Sequence, residues 1–180
     1  MWPAASRHIR FEAISRATKL HWSFREKRTL RRRTGAVVLR PMPVSCTFCR
    51  IVDGSEAGSV VYADDLVVAF LDVMPINRGH TLVVPRRHVA FLAEVEPEEG
   101  ARMFLAAQKV GQALRASKVR CDAVNLILND GAEAGQRVFH THLHVVPRVL
   151  GDSLRRDLNA EMPTREDLDE VAGELREWLA

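Results

Sequence analysis

Residues 136–148 read Gln136-Arg137-Val138-Phe139-His140-Thr141-His142-Leu143-His144-Val145-Val146-Pro147-Arg148, with histidine at every second position from 140 to 144. Successive side chains of a β-strand point to opposite faces, so a strand here puts three imidazoles on one face and Thr141, Leu143 and Val145 on the other. The odd positions belong to a core and the even ones to chemistry. Neighbouring imidazoles in such a row lie ~7 Å apart at ~3.3 Å rise per residue, which makes it difficult for one small ion to collect all three. A division of labour is therefore expected. Imidazoles that charge repel one another and are costly to bury without partners, so a structural core does not accumulate them. The more isolated His8, His21 and His80 are read instead as ordinary hydrogen-bonded residues.

Upstream of this row, Asp122–Asn129 alternates as a strand. It runs into Asp130-Gly131-Ala132-Glu133-Ala134-Gly135-Gln136, a loop light enough to bring backbone N–H groups close to an anion. Pro97 followed by Glu98 and Glu99 opens a long helix to about Ser117, with Met103, Phe104, Ala107, Val110, Gly111 and Leu114 as its sheet-facing stripe. Leu105 points away from that stripe, a weak sign of a subunit contact. Before the helix come His88 and a short helical turn within Val89–Val95, and before these the strand signals Val60–Tyr62, Leu66–Leu71 and Thr81–Val84. Asp72 closes the second of these strands. Near the C-terminus Thr164 and Asp167 resemble a capping box, ahead of the stripe Leu168, Val171, Ala172, Leu175 and Leu179. The fold class is α+β: an antiparallel sheet of about five strands, counting a short edge from Phe48–Val52, with one long helix packed on it and a further C-terminal helix.

Cys46-Thr47-Phe48-Cys49 can grip one Zn²⁺ from a tight turn, and with no second such pair the remaining ligands must be histidines. A histidine at one end of the row can join Cys46, Cys49 and His88 in a closed tetrahedral site, which has no open position for substrate and is structural.

The net charge of +3 hides an asymmetry: residues 1–45 hold nine Arg and two Lys against two Glu, or +9, leaving fifteen bases and twenty-one acids, or −6, for the rest. The basic pI therefore says little about what the folded domain binds. Residues 1–43 are read as a basic, poorly ordered extension outside the active domain, with Met42 as candidate true start; residues 44–148 form the domain and 149–180 the C-terminal tail and helix. Trp2 and Trp22 stand in that extension with no pattern that would bury them. Three cysteines make no disulfide framework, and no apolar run is long enough to span a membrane, so a cytoplasmic setting is expected.

Taken together these motifs resemble the histidine triad (HIT) family of nucleotide hydrolases and transferases, in its zinc-binding branch. The likeness rests on His140-x-His142-x-His144-Val145-Val146, Cys46-x-x-Cys49, Phe70-Leu71-Asp72 with Pro75, Gly79-His80-Thr81-Leu82-Val83-Val84-Pro85, and Asn129-Asp130-Gly131 with Gly135-Gln136. It implies a homodimer with one continuous sheet and a purine nucleotide held by each subunit. Asp72 would bind the ribose hydroxyls, while Asn129, Gln136, His144 and the backbone near Val138 would hold the phosphate. His142 would be the nucleophile, giving a covalent nucleotidyl-histidine, with His144 and Gln136 assisting. His140 would complete a structural zinc site with Cys46, Cys49 and His88. The activity so implied is hydrolysis of purine nucleoside 5′-phosphoramidates or related conjugates, releasing AMP or GMP. The alternatives are a dinucleoside polyphosphate hydrolase or phosphorylase, and a nucleotide-binding zinc protein without turnover; neither membrane nor nucleic acid is an expected partner. Arg137 departs from the Ser common in phosphoramidase-like members and leaves the leaving group open.

Overall fold

The computed structural model describes residues 46–154 and 161–179. The basic N-terminal segment, Met42 and the expectations attached to them lie outside the described residues. The elements are α1 (Thr47–Asp53), β1 (Val60–Ala63), β2 (Val67–Leu71), β3 (Thr81–Pro85), α2 (Pro97–Ala116), β4 (Ala123–Leu128), β5 (Leu143–Arg148) and α3 (Arg165–Leu179), with single 3₁₀ turns at Leu92–Glu94 and Ala132–Ala134. The strands form one antiparallel sheet in the order β1-β2-β3-β5-β4. The fold class is the one read from the sequence.

Both faces of the central strands are covered, and every residue of β2 and β3 is buried. Alternation sorts their side chains into two clusters. Val67, Ala69, Leu71, Val83 and Val145 face Met103, Ala107, Val110 and Leu114 of α2 and Leu168, Val171 and Leu175 of α3. Val68, Phe70, Leu82 and Val84 face the other way, against Phe48 of α1. The register Leu82↔His144 places His144 opposite Leu82, on the α1 face, because directly opposed residues share a face. Arg87, just past β3, grips both Glu99 carboxylate oxygens at 2.9 and 2.7 Å, and Glu99 also accepts the Glu96 N–H at 3.0 Å. This fixes the first turn of α2 to the end of β3. Thr164 and Asp167 form their expected reciprocal pair at the start of α3.

Three local expectations are corrected. Phe48–Val52 is helix, not an edge strand. Phe48, Ile51 and Val52 lie at helical spacing and pack on the α1 face of the sheet, and Gly54 at φ +82° ends the helix in the left-handed region. Phe104 is 59% exposed: Met103, Ala107, Val110 and Leu114 meet the sheet, and one residue further on is turned about 100° away from them. The histidine row is also not one strand, since β5 begins only at Leu143. The Thr141 N–H bonds Val89 O at 2.7 Å, so this approach segment is tied to the connection after β3 and not to the sheet.

Candidate functional site

The break at Leu143 sends the three histidines to two places. His140 turns to Cys46, Cys49 and His88, whose donor atoms with its own all lie within 4.8 Å of one another. His142 and His144 turn to a cavity of about 420 Å³ on the α1 face, with ring centroids 4.8 Å apart, closer than the ~7 Å of a regular strand row. Phe48 stands between the two sites, its ring 6.0 Å from His140 and 5.2 Å from His142.

In the cysteine cluster, His140 Nδ1 is 3.6 Å from both Cys46 Sγ and Cys49 Sγ, and Cys49 Sγ is 3.3 Å from His88 Nδ1. Zinc bonded at ~2.3 Å to sulfur and ~2.0–2.1 Å to nitrogen in a tetrahedron spaces S and N by about 3.5 Å. The donor set fits. His140 Nε2–H donates to Pro85 O at 2.8 Å, which commits Nδ1 to the cluster, as a carbonyl behind the ring does for metal-bound histidine. Burial, then the neighbouring Cys46, pushes the Cys49 thiol up to about 12, and burial pushes His140 down to about 4. Such thiols are poor nucleophiles on their own and need a cation to hold them as thiolates.

The cavity has an apolar flank made by Phe48, Ile51, Phe70, Leu82 and Val138, with Asp72, Asn129, Arg137, His142 and His144 also lining it. His142 is 5% exposed, and its Nδ1–H donates to His140 O at 2.7 Å, leaving the Nε2 lone pair free. Burial lowers its pKa, so the ring is neutral near pH 7. His144 is pushed down to about 3 by burial and then by His142 and His80.

His80, read from sequence as an ordinary hydrogen-bonded residue, lines this cavity. It is 2% exposed and its Nε2 lies 3.0 Å from His144 Nδ1. The Ile76 backbone N–H donates into His80 Nδ1 at 3.2 Å, and a backbone proton cannot be moved. His80 therefore carries its proton on Nε2 and donates it to His144 Nδ1, so the His144 proton sits on Nε2. Asn129 Nδ2 lies 3.5 Å from that atom; turning the amide over would offer it an acceptor instead. Asp72 Oδ2 is 3.5 Å from His80 Nδ1 and favours its charged form, but burial, the larger influence, holds His80 below its ordinary value. No local signal marks His80, because its partner is 64 residues away and only the β3–β5 pairing joins them.

Of the remaining expected residues, Asp72 lines the cavity with Oδ1 accepting the Met74 N–H at 2.8 Å. Gln136 is the exception. It is 4% exposed and turned from the cavity, Oε1 accepting the Gly131 N–H at 2.9 Å and Nε2 donating to Ala90 O at 2.8 Å. Both ends of its amide help hold the loop, whose glycines Gly131 and Gly135 take φ +96° and +91° as a light loop must.

A family model described as the HIT domain matches residues 54–150. An uncharacterised HIT-like protein of Mycobacterium tuberculosis is 43% identical over 137 residues, 75% of this chain and 93% of that protein. Adenylylsulfatase HINT3 of Arabidopsis thaliana is 35% identical over 120 residues, 67% of this chain and 60% of that protein. Among solved structures, a Zn-bound histidine triad family protein from Mycobacterium smegmatis superposes with a TM-score of 0.65 at 40% identity, covering 74% of this chain and 92% of that one. A hypothetical histidine triad nucleotide-binding protein from Sulfolobus tokodaii gives 0.65 at 31% identity, covering 74% and 91%.

Proposed function

The chain belongs to the histidine triad family, and from that premise we propose that it is a nucleotidyl hydrolase acting on purine nucleoside 5′-phosphate conjugates through a covalent nucleotidyl-histidine. The observation that carries this reading is the state of His142: neutral, with Nδ1–H fixed on His140 O and Nε2 free in the cavity. A neutral imidazole with one nitrogen so committed is a competent nucleophile near pH 7.

The base lies against Phe48, Ile51, Phe70 and Leu82, and the ribose hydroxyls meet Asp72 at the end of β2. The α-phosphate sits before His142, with His144 Nε2–H and the backbone near Val138 as fixed donors and the Asn129 amide beside them. His142 Nε2 attacks the α-phosphorus, the leaving group departs, and water then cleaves the P–N bond to release the nucleoside monophosphate. Gln136 acts from behind, holding the loop that presents Arg137 and Val138.

Cys46, Cys49, His88 and His140 hold a structural zinc in this reading, supported by the donor spacing and by the Zn-bound relative. The metal supplies folding stability and fixes the start of α1, and so the position of Phe48. A second copy pairs along the open edge of β4, where Leu126 is exposed, with Phe104 and Leu105 of α2 also bare. No helix among the described residues is long and apolar enough to cross a membrane, and a cytoplasmic setting suits three free cysteines.

The test is a quenched single-turnover reaction with a radiolabelled adenosine 5′-phosphate conjugate. Wild-type protein should give a labelled adduct at His142 that decays to AMP, while His142→Ala keeps AMP binding and gives neither. Equal turnover in His142→Ala would remove the nucleophile assignment.

A further inference from the structure

The cavity lining holds two guanidinium groups, Arg137 and Arg165, and two carboxylates, Glu56 and Asp72. Arg165 is committed, donating to Ser59 Oγ at 2.9 Å and to Ala57 O at 3.3 Å. Glu56 is likewise committed, to Arg50 at 2.7 Å. Arg137 is exposed, lies on the same loop as Gly135 and Val138, and has no hydrogen-bond or ion-pair partner among the described residues. Its neighbour Gln136 is pinned on three sides, by Gly131 N–H, Gly131 O and Ala90 O, so the backbone that carries Arg137 is fixed at the mouth. Of the two guanidinium groups on the cavity wall, Arg137 is therefore the one whose N–H donors meet no partner among the described residues.

We infer that Arg137 is a specificity-determining residue that selects an oxyanion leaving group: the conjugate cleaved at His142 is a nucleoside 5′-phosphate joined through a bridging oxygen to a second tetrahedral oxyanion, phosphate or sulfate. This rests on the nucleotidyl-histidine reading above. In the first step the His142 Nε2 lone pair forms the P–N bond while the bond from phosphorus to the bridging oxygen breaks. The electron pair stays on that oxygen, which leaves as phosphate or sulfate. In the second step water oxygen bonds phosphorus, the P–N pair returns to Nε2, and a proton of the water passes to solvent. An oxyanion needs no proton to depart, only a partner for its charge, which a guanidinium offers through two parallel N–H donors. An amine must be protonated as it leaves, and a guanidinium does not give up a proton. A cation at residue 137 therefore serves the first kind of leaving group and does nothing for the second.

The experiment measures kcat/KM of the full chain for adenosine 5′-phosphosulfate, ADP and adenosine 5′-phosphoramidate, in wild type, R137S and R137K. Arg137 is exposed and has no hydrogen-bond or ion-pair partner among the described residues, so neither substitution threatens the fold. Wild type should prefer at least one oxyanion conjugate over the phosphoramidate by ~10-fold or more, the phosphosulfate and ADP arms telling sulfate from phosphate. R137S should shift that ratio toward the phosphoramidate by ~10–100-fold, the range expected for one charge-assisted hydrogen bond, and R137K should keep most of the preference. A ratio unmoved in R137S, or a wild type that prefers the phosphoramidate, overturns the inference and leaves the nucleophile assignment standing. Three inert substrates, with no adduct at His142, overturn both.

Discussion

The relay from Ile76 through His80 to His144 makes a prediction that separates a positioning role from simple packing. Replacing His80 by Leu fills much of the same volume but removes both ring nitrogens from a site where the residue is 2% exposed. The Ile76 N–H loses its acceptor at 3.2 Å and His144 Nδ1 loses its donor at 3.0 Å. At ~1–2 kcal/mol for each, the fold should lose about 2–4 kcal/mol. The catalytic loss is separate. Freed of His80, the His144 proton is no longer confined to Nε2, and the donor aimed at the phosphate is weakened in proportion. A donor to a charged group contributes ~1.5–3 kcal/mol, so kcat/KM should fall ~10–150-fold. His80→Gln keeps the polarity of the relay, since its oxygen can accept from Ile76 and its NH₂ can donate toward His144, and should recover much of the rate. Nitrogen-15 NMR of the imidazoles reads the tautomer directly: Nε2–H on His144 in wild type and His80→Gln, a mixture in His80→Leu. A His80→Leu protein with an unchanged His144 tautomer and kcat/KM within twofold of wild type would refute the relay.

Three further outcomes are expected. Cys49→Ser should take bound zinc from about one per chain to none by elemental analysis and lower the Tm by roughly 10 °C, as a loss of ~3 kcal/mol gives in a domain of this size; activity should fall with it, because Phe48 is anchored by the same turn and packs 5.2 Å from the His142 ring. His80, His142 and His144 all have folded-state pKa values below 6.5, His144 at about 3. Below pH 6.5 the unfolded chain then binds the more protons, so their contribution is complete above that pH and is lost as pH falls; urea midpoints at pH 7.5, 6 and 5 should decline in order, less steeply in His144→Asn. Charging the bare face of α2 with Phe104→Glu and Leu105→Glu should convert a dimer to a monomer in light scattering without lowering the monomer's helix content.

What the sequence made legible was local. The stripe Met103, Ala107, Val110 and Leu114 and the alternation in β2 and β3 are read within one element, and each packs as its period requires. The cluster of Cys46, Cys49, His88 and one end of the histidine row was readable because metal chemistry restricts both residue type and number, so that two thiols imply two further donors; the choice of His140 as that end came from the family resemblance. α1 escaped because seven residues are too few for helical and strand periods to separate. Its helical state is set by what the segment meets, the floor of Phe70 and Leu82 beneath Phe48, Ile51 and Val52 and the cluster that Cys49 shares with His88 and His140. The surroundings of His80 and Gln136 were not legible for a shared reason, in opposite senses. A ring nitrogen or an amide is defined by what it meets: His80 meets His144 across a strand pair and becomes part of the site, while Gln136 meets Gly131 and Ala90 and becomes a strut. Arg137 is the residue between these cases. Its chemistry is fixed by its type, its place at the mouth is fixed by the strut beside it, and what remains for it to meet is the substrate.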